Sequence, residues 1–211
     1  MKKLFFAGAI LLASMNFACA QTQDIQLNKP SATRNADIMK AFQERRSTRE
    51  FSSKPLSHQD LSDLLWAANG YNRPNEKKRT APSCMNWQDI DIYVCTSEGA
   101  YLYDASTSTL KLVNKGDFRK DVAAQQATMA SAPVFLILVS NTEKTGQKGD
   151  GALAMQAVDA GIVSQNISLF CSGVGLATVV RASMNKEALK KDLKLKDSQI
   201  LFVNQPIGYM K

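Results

Sequence analysis

Histidine is almost missing: His58 is the only one in 211 residues. A multi-histidine metal centre is therefore excluded, and the cysteines lack the spacing to replace it. A Ser-His-Asp or Cys-His pair would have to use His58. That residue follows Ser57 at the start of a predicted surface helix, where histidine is ordinarily solvated. There is no G-x-S-x-G elbow and no Walker phosphate loop. The run GVGLAT from Gly173 has two of the three dinucleotide-binding glycines, but Thr178 occupies the third position. Cysteine is scarce as well. Beyond Cys19 only Cys84, Cys95 and Cys171 occur, with no C-x-x-C. An odd number without that motif makes no disulfide framework. Buried free thiols are the preferred reading, with one bridge of undetermined partners left open.

Apart from residues 4–17 the chain has no apolar run suited to a leader or anchor, and that one is too short to span a bilayer comfortably. Lys2 and Lys3 precede it and Ala18-Cys19-Ala20 follows. This is the pattern of a signal peptide over 1–20, cleaved near Ala20, which places the mature chain in the periplasm or outside the cell. Acylation of Cys19 as a lipoprotein is a second reading, poorly matched by Asn16-Phe17-Ala18. No membrane span is expected. The formal charge of +7 falls to +5 without Lys2 and Lys3, and no long block carries a single sign. Lys77-Lys78-Arg79, with Arg73 near, could touch phosphate. A solvated loop is the preferred reading, and no nucleic-acid partner is expected.

Residues 21–34 read as a polar arm and 35–211 as one domain with a sizeable core. Asn35 is positioned to cap a helix whose apolar face is Ile38, Met39, Ala41 and Phe42. Ser57 caps a second helix, with Asp60 at the third position and Asn69-Gly70 at its end. Residues 71–88 read as a polar loop. Ile90, Ile92 and Val94 alternate with Asp91, Tyr93 and Cys95, the period of a half-buried strand. Two short strands flank DASTST as a hairpin, and a helix is expected over Asp117–Met129. PVFLILVS from Pro133 is a continuous run suited to a central strand. Residues 151–174 form a helix apolar nearly all round, which requires burial on every side or sharing with a second subunit. GLATVV, a short helix after Asn185, and a strand over QILFVNQPIGY complete the chain.

The octamer ERRSTREF places Arg45, Arg46 and Arg49 around Ser47 and Thr48 at the first helix end. Three guanidinium groups repel one another unless carboxylates, solvent or an anion answer them. The planar fork of arginine suits phosphate because it donates two hydrogen bonds at once. Solvation, with Glu44 and Glu50 as neighbours, is the alternative.

RRSTREF, RTAPSCMNWQ from Arg79, DAGIVSQNISLFCSGVGLATVVRAS from Asp159 and QPIGYMK at the end occur in an order that resembles the FMN-dependent nitroreductase family, in its short secreted branch. The resemblance covers Asn35 to Lys211. It implies an α+β fold: a mainly antiparallel central sheet flanked by helices, in an intertwined homodimer with FMN at the interface. It implies that Arg45 and Ser47 bind the phosphate, that Arg46 adds a contact, and that Arg49 reaches the ribityl chain and the pyrimidine edge. Pro82, Ser83, Cys84, Asn86 and Gln88 would approach from the other subunit. Cys84 stands where serine or alanine is commoner. Val180, Arg181, Ala182 and Ser183 would lie against the ring, mostly through backbone groups. Gln125 and Gln126 replace a lysine found near the pyrimidine edge, which would lower the reduction potential. A basic tail seen in longer members is missing, so Lys211 or Arg46 would supply its charge. The implied activity is ping-pong transfer from NAD(P)H or another reductant to an electron-poor small molecule such as a nitroaromatic or quinone. No catalytic acid or base and no metal ligand stands out. A non-catalytic flavin-binding module of the cell envelope is the alternative.

Overall fold

PVFLILVS lies at the centre of the molecule because both of its faces meet apolar side chains. The computed structural model describes residues 23–211; the signal peptide and its cleavage point lie outside the described residues. The strands are β1 (Ile25–Gln26), β2 (Tyr71–Arg73), β3 (Lys78–Arg79), β4 (Ile90–Cys95), β5 (Gly99–Asp104), β6 (Thr109–Lys115), β7 (Val134–Asn141), β8 (Leu176–Thr178) and β9 (Gln199–Tyr209). The helices are α1 (Ile38–Glu44), α2 (His58–Asn69), α3 (Arg119–Ala123), α4 (Asp150–Val174) and α5 (Lys186–Asp192). Seven strands form one sheet in the order β1-β6-β5-β4-β7-β9-β8, every neighbouring pair antiparallel. Strands β2 and β3 make a separate hairpin. The fold is α+β, as expected.

Alternation along β7 divides the core in two. Val134, Leu136 and Leu138 join α2 and α4 on one face. Phe135, Ile137 and Val139 join residues of α3 and α5 on the other. The same division corrects the reading of β4 as half-buried. Ile92 and Val94 face the first core, while Tyr93 and Cys95 are buried in the second. The second layer of helices removes the water that the Asp91-Tyr93-Cys95 face was expected to meet.

Other expectations need amendment. The cap of α1 is Asp37, not Asn35; its carboxylate accepts from the N–H groups of Met39 and Lys40. Ser57 caps α2 as expected, accepting from Asp60 N–H. The helix predicted over 117–129 breaks after Ala123, where Ala124 has φ +49° and ends α3, and resumes as a tight turn over Ala127–Ser131. Residues 71–88 contain the β2–β3 hairpin. The polar arm is not loose throughout: Ile25 and Gln26 pair with Leu110 and Thr109, and Arg34 bridges Asp60 and Asp63. Helix α4 is not buried on all sides in one chain. Its inward face carries Ala152, Gln156, Asp159, Ala160, Val163, Ser164 and Ile167, while Leu153, Met155 and Val158 remain 43, 41 and 52% exposed.

Candidate functional site

The chain leaves α1 at Arg45, whose φ of −57° and ψ of 118° break the helix. The next residues run beside β8. Thr48 N–H donates to the Thr178 carbonyl at 2.9 Å, and Ser52 N–H to the Tyr209 carbonyl at 2.9 Å. Phe51 is buried and bridges Met210. Gly208 permits this approach, since a Cβ there would stand 2.9 Å from Pro133 Cδ and 3.3 Å from Phe51. Thr48 and Phe51 thus anchor the segment and leave the residues between the anchors and the helix outside.

Arg45, Arg46, Ser47 and Arg49 are all exposed. None of the three guanidinium groups has an ion-pair partner among the described residues, and Glu44 is 3.7 Å from Lys40 instead. The C-terminal ends of α1 and α4 both lie here, with Gly175 (φ +76°) closing α4. Their partial negative charge offsets some of the repulsion, about 0.3–1 kcal/mol per helix end at an exposed site. A cavity of about 330 Å³ opens at this point, lined by Arg46, Thr48, Ser168, Ser172, Thr178 and Met210 among others. Of the wall residues, Thr48 is marked in the sequence by its place beside the arginines, whereas Ser168, Ser172, Thr178 and Met210 are not. The one available signal was the i, i+4 recurrence of Ser164, Ser168 and Ser172 in an apolar helix. Both wall serines donate inward, Ser172 to the Ala41 carbonyl and Ser168 to the Ser164 carbonyl. The arginines, Ser47 and Thr48 are therefore the donors left for a ligand.

The segment Pro82–Gln88 stands elsewhere. Pro82, Ser83 and Asn86 line a second cavity, and no arginine of the first segment reaches it. Cys84 N–H donates to both carboxylate oxygens of Asp159 at 3.0 Å. Along α4, Asp159 and Ser172 are about 20 Å apart at 1.5 Å per residue. The Gln88 side chain is committed internally: its Oε1 accepts from Arg79 Nε at 2.9 Å and its Nε2 donates to the Lys77 carbonyl at 2.7 Å. Gln88 N–H donates to Ser83 Oγ. Met85, Asn86 and Gln88 have φ of +48°, +58° and +50°. Each such non-glycine conformation costs about 1–2 kcal/mol and survives only where its surroundings impose it. Here the bonds to Asp159, Ser83 and Arg79 impose it, and Met85 is left 76% exposed.

Asp159 is buried beneath this loop. Burial pushes its pKa up to about 6; Cys84 N–H acts in the opposite direction, and the facing Asp89 carboxyl adds to the rise. Asp89 accepts from Ser140 Oγ at 2.6 Å, while its Oδ1 has no partner among the described groups.

Val180–Ser183 alternates in and out. Arg181 is buried, and burial lowers its pKa. Its guanidinium donates to Gln126 Oε1, Asn204 Oδ1 and the Val122 and Ala123 carbonyls. Its backbone N–H and carbonyl are both bonded to Asn204. Val180 and Ala182 point outward beside it, and Ser183 is half-buried. Gln125 is exposed just after the break at Ala124, whereas Gln126 is tied to Arg181. One chain thus brings Arg45–Arg49 to the end of β8 at Thr178 and keeps Pro82–Gln88 apart. Among the described residues no three His, Cys, Asp or Glu side chains could hold a metal, and no helix is long and apolar enough to cross a membrane.

A model of the nitroreductase family matches residues 42–209. A candidate nitroreductase of Methanocaldococcus jannaschii is 29% identical over 197 residues, covering 89% of this chain and 96% of that protein. The crystal structure of a candidate nitroreductase from Ralstonia eutropha JMP134 superposes with a TM-score of 0.84 at 32% identity, covering 100% of this chain and 96% of the other. A chain of the Escherichia coli microcin synthetase complex shares the fold alone, at 20% identity and a TM-score of 0.73 over 98% of this chain and 85% of the other.

Proposed function

The chain belongs to the nitroreductase family of oxidoreductases, and from that premise we propose an FMN-dependent enzyme that passes electrons to an electron-poor aromatic such as a nitro compound or quinone. The carrying observation is a cluster of three exposed guanidinium groups without ion-pair partners among the described residues, on a segment whose backbone is anchored by Thr48 and Phe51, with Arg46 lining a cavity. Guanidinium forks with free donors fit a phosphate, and the open cavity leaves room for what the phosphate carries. FMN, when bound, supplies the hydride and electron transfer.

Arg45, Arg46 and Ser47 would hold the phosphate. Arg49 would bring positive charge to the pyrimidine edge, where it favours the reduced state. Val180 and Ala182 face outward beside β8 and would border the ring, with Gln125 as an uncharged neighbour. Arg181 acts behind them, keeping that strand end in place through Asn204 and the α3 carbonyls. Pro82, Ser83, Cys84 and Asn86 would come from a second copy, with Gln88 holding their loop. The exposed stripe Leu153, Met155 and Val158 supports such a copy, because small Ala154, Ala157 and Gly161 between them allow close helix approach. The reductant is NAD(P)H or another donor. Export to the periplasm is proposed on the reading of residues 1–20 as a signal peptide.

The absorption spectrum of the purified mature protein tests the site. Flavin bands are expected, and Arg45→Ala with Arg49→Ala should remove them without unfolding the chain. Wild-type protein that stays colourless after incubation with excess FMN would overturn the proposal. Bound flavin that reacts with neither a nicotinamide donor nor a nitroaromatic acceptor would favour the envelope flavin-binding module.

A further inference from the structure

The β2–β3 hairpin projects from the sheet next to the Pro82–Gln88 loop and carries Arg73, Lys77, Lys78 and Arg79 against one carboxylate, Glu76. Its residues wall the second cavity, of about 470 Å³, whose basic side is Arg73, Lys78 and Arg79. Ser83 and Asn86 line it as well. Three basic residues thus border one cavity.

The three cations are not equivalent. Arg79 belongs to the scaffold: it stacks on Tyr71 at 4.8 Å, donates to Gln88 Oε1, and donates to the Asn69 carbonyl at 2.6 Å. It thereby ties the hairpin to the Gln88 end of the loop. Arg73 meets Glu76 only at 3.8 Å, with both side chains mostly exposed, a pair of little strength. Lys78 is half-buried at the cavity and has no ion-pair partner among the described residues. An anion in the cavity would supply the opposite charge that Lys78 lacks.

We infer that this cavity is an anion subsite for the molecule that exchanges electrons with the flavin: a flat compound bearing a carboxylate, sulfonate or phosphate. The inference rests on the reading that Pro82, Ser83 and Asn86 border the ring. Arg73 and Lys78 hold the anionic group, and the loop between them and the ring sets the distance at which the flat part lies. Two sources share this chemistry, an acid group on the acceptor and the pyrophosphate of a nicotinamide donor.

The experiment compares the full mature protein with the Arg73→Gln/Lys78→Gln double variant. Calorimetric binding, which needs no turnover, uses 4-nitrobenzoate as the acceptor probe and ADP-ribose as the donor probe. The wild type should bind at least one, and the variant should bind that probe about tenfold more weakly, the loss expected for two solvent-screened charge contacts. Weakened nitrobenzoate binding assigns the site to the acceptor; weakened ADP-ribose binding assigns it to the donor. A wild type that binds neither, or a variant that binds both unchanged, overturns the inference. Flavin content must also be unchanged in the variant; its loss would place these cations in the cofactor cradle and overturn the inference too. In oxidation of chemically reduced protein, the neutral 4-nitrobenzamide should react equally with both forms. Its failure to react with the wild type would count against the proposed activity and leave the binding result standing.

Discussion

Asp159 occupies the interior only by holding on to its proton over much of the acidic range. Burial, with the Asp89 carboxyl facing it, puts its pKa at about 6, against about 3.9 for an unfolded chain. Between those values the folded protein binds a proton that the unfolded chain releases. Its contribution to stability is therefore full below about pH 4 and is lost as pH rises through 6. Asp117, held low by the hydrogen bond from Arg119, works in the opposite sense at lower pH, so the comparison must be with a variant. Denaturation midpoints of wild type and Asp159→Asn, measured from pH 3.5 to 7.5, should converge at the acid end and separate progressively between about pH 4 and 6, with the variant losing less stability. Parallel curves would mean that Asp159 is not the titrating group. The same carboxyl positions Cys84 N–H. The strained loop that presents Met85 and Asn86 therefore shares a support with the pH response.

Among elements, β7 is the least replaceable. Leu136 has no exposed surface, and the strand lies between two cores. Leu136→Ala should cost about 2–5 kcal/mol, read as a lower urea midpoint at an unchanged slope, whereas exposed Val180→Ala should shift it by less than about 1 kcal/mol. A Leu136→Ala midpoint within error of wild type would show that one of the two cores collapses around the gap. This strand, α2 and the DASTST hairpin were legible because each is specified locally, by an apolar run, a capping serine or a turn. The break in α3 was not legible. The Arg181 guanidinium uses the Val122 and Ala123 carbonyls and Gln126, and Arg181 is 55 residues beyond Gln126. The burial of Tyr93 and Cys95 likewise depends on helices that follow them in the chain. At the candidate site, the arginine cluster was visible as unbalanced charge within one octamer. The link between Cys84 and Asp159 spans 75 residues, and no local spacing encodes it.

The whole molecule poses a question that one chain leaves open: the Arg45–Arg49 and Pro82–Gln88 segments proposed to hold one cofactor border separate cavities, and two apolar patches remain uncovered. Ile38, Met39 and Phe42 on α1 are exposed, as are Leu153, Met155 and Val158 on α4. On the proposed homodimer these exposed apolar side chains would form the interface. A two-fold partner buries the same patch on both copies, since such contacts are self-complementary. It would also carry the Pro82–Gln88 loop of one copy toward the Arg45–Arg49 segment of the other. Assembly and flavin affinity are then one property. Val158→Glu places a charge in the stripe, where its desolvation opposes association. The variant should sediment as a monomer at micromolar concentration, with an unchanged circular-dichroism spectrum. It should also lose flavin, although Arg45, Arg46 and Arg49 are intact. A folded monomer that retains FMN with wild-type affinity would refute the shared site, whereas a variant that remains dimeric and yellow would move the interface away from α4.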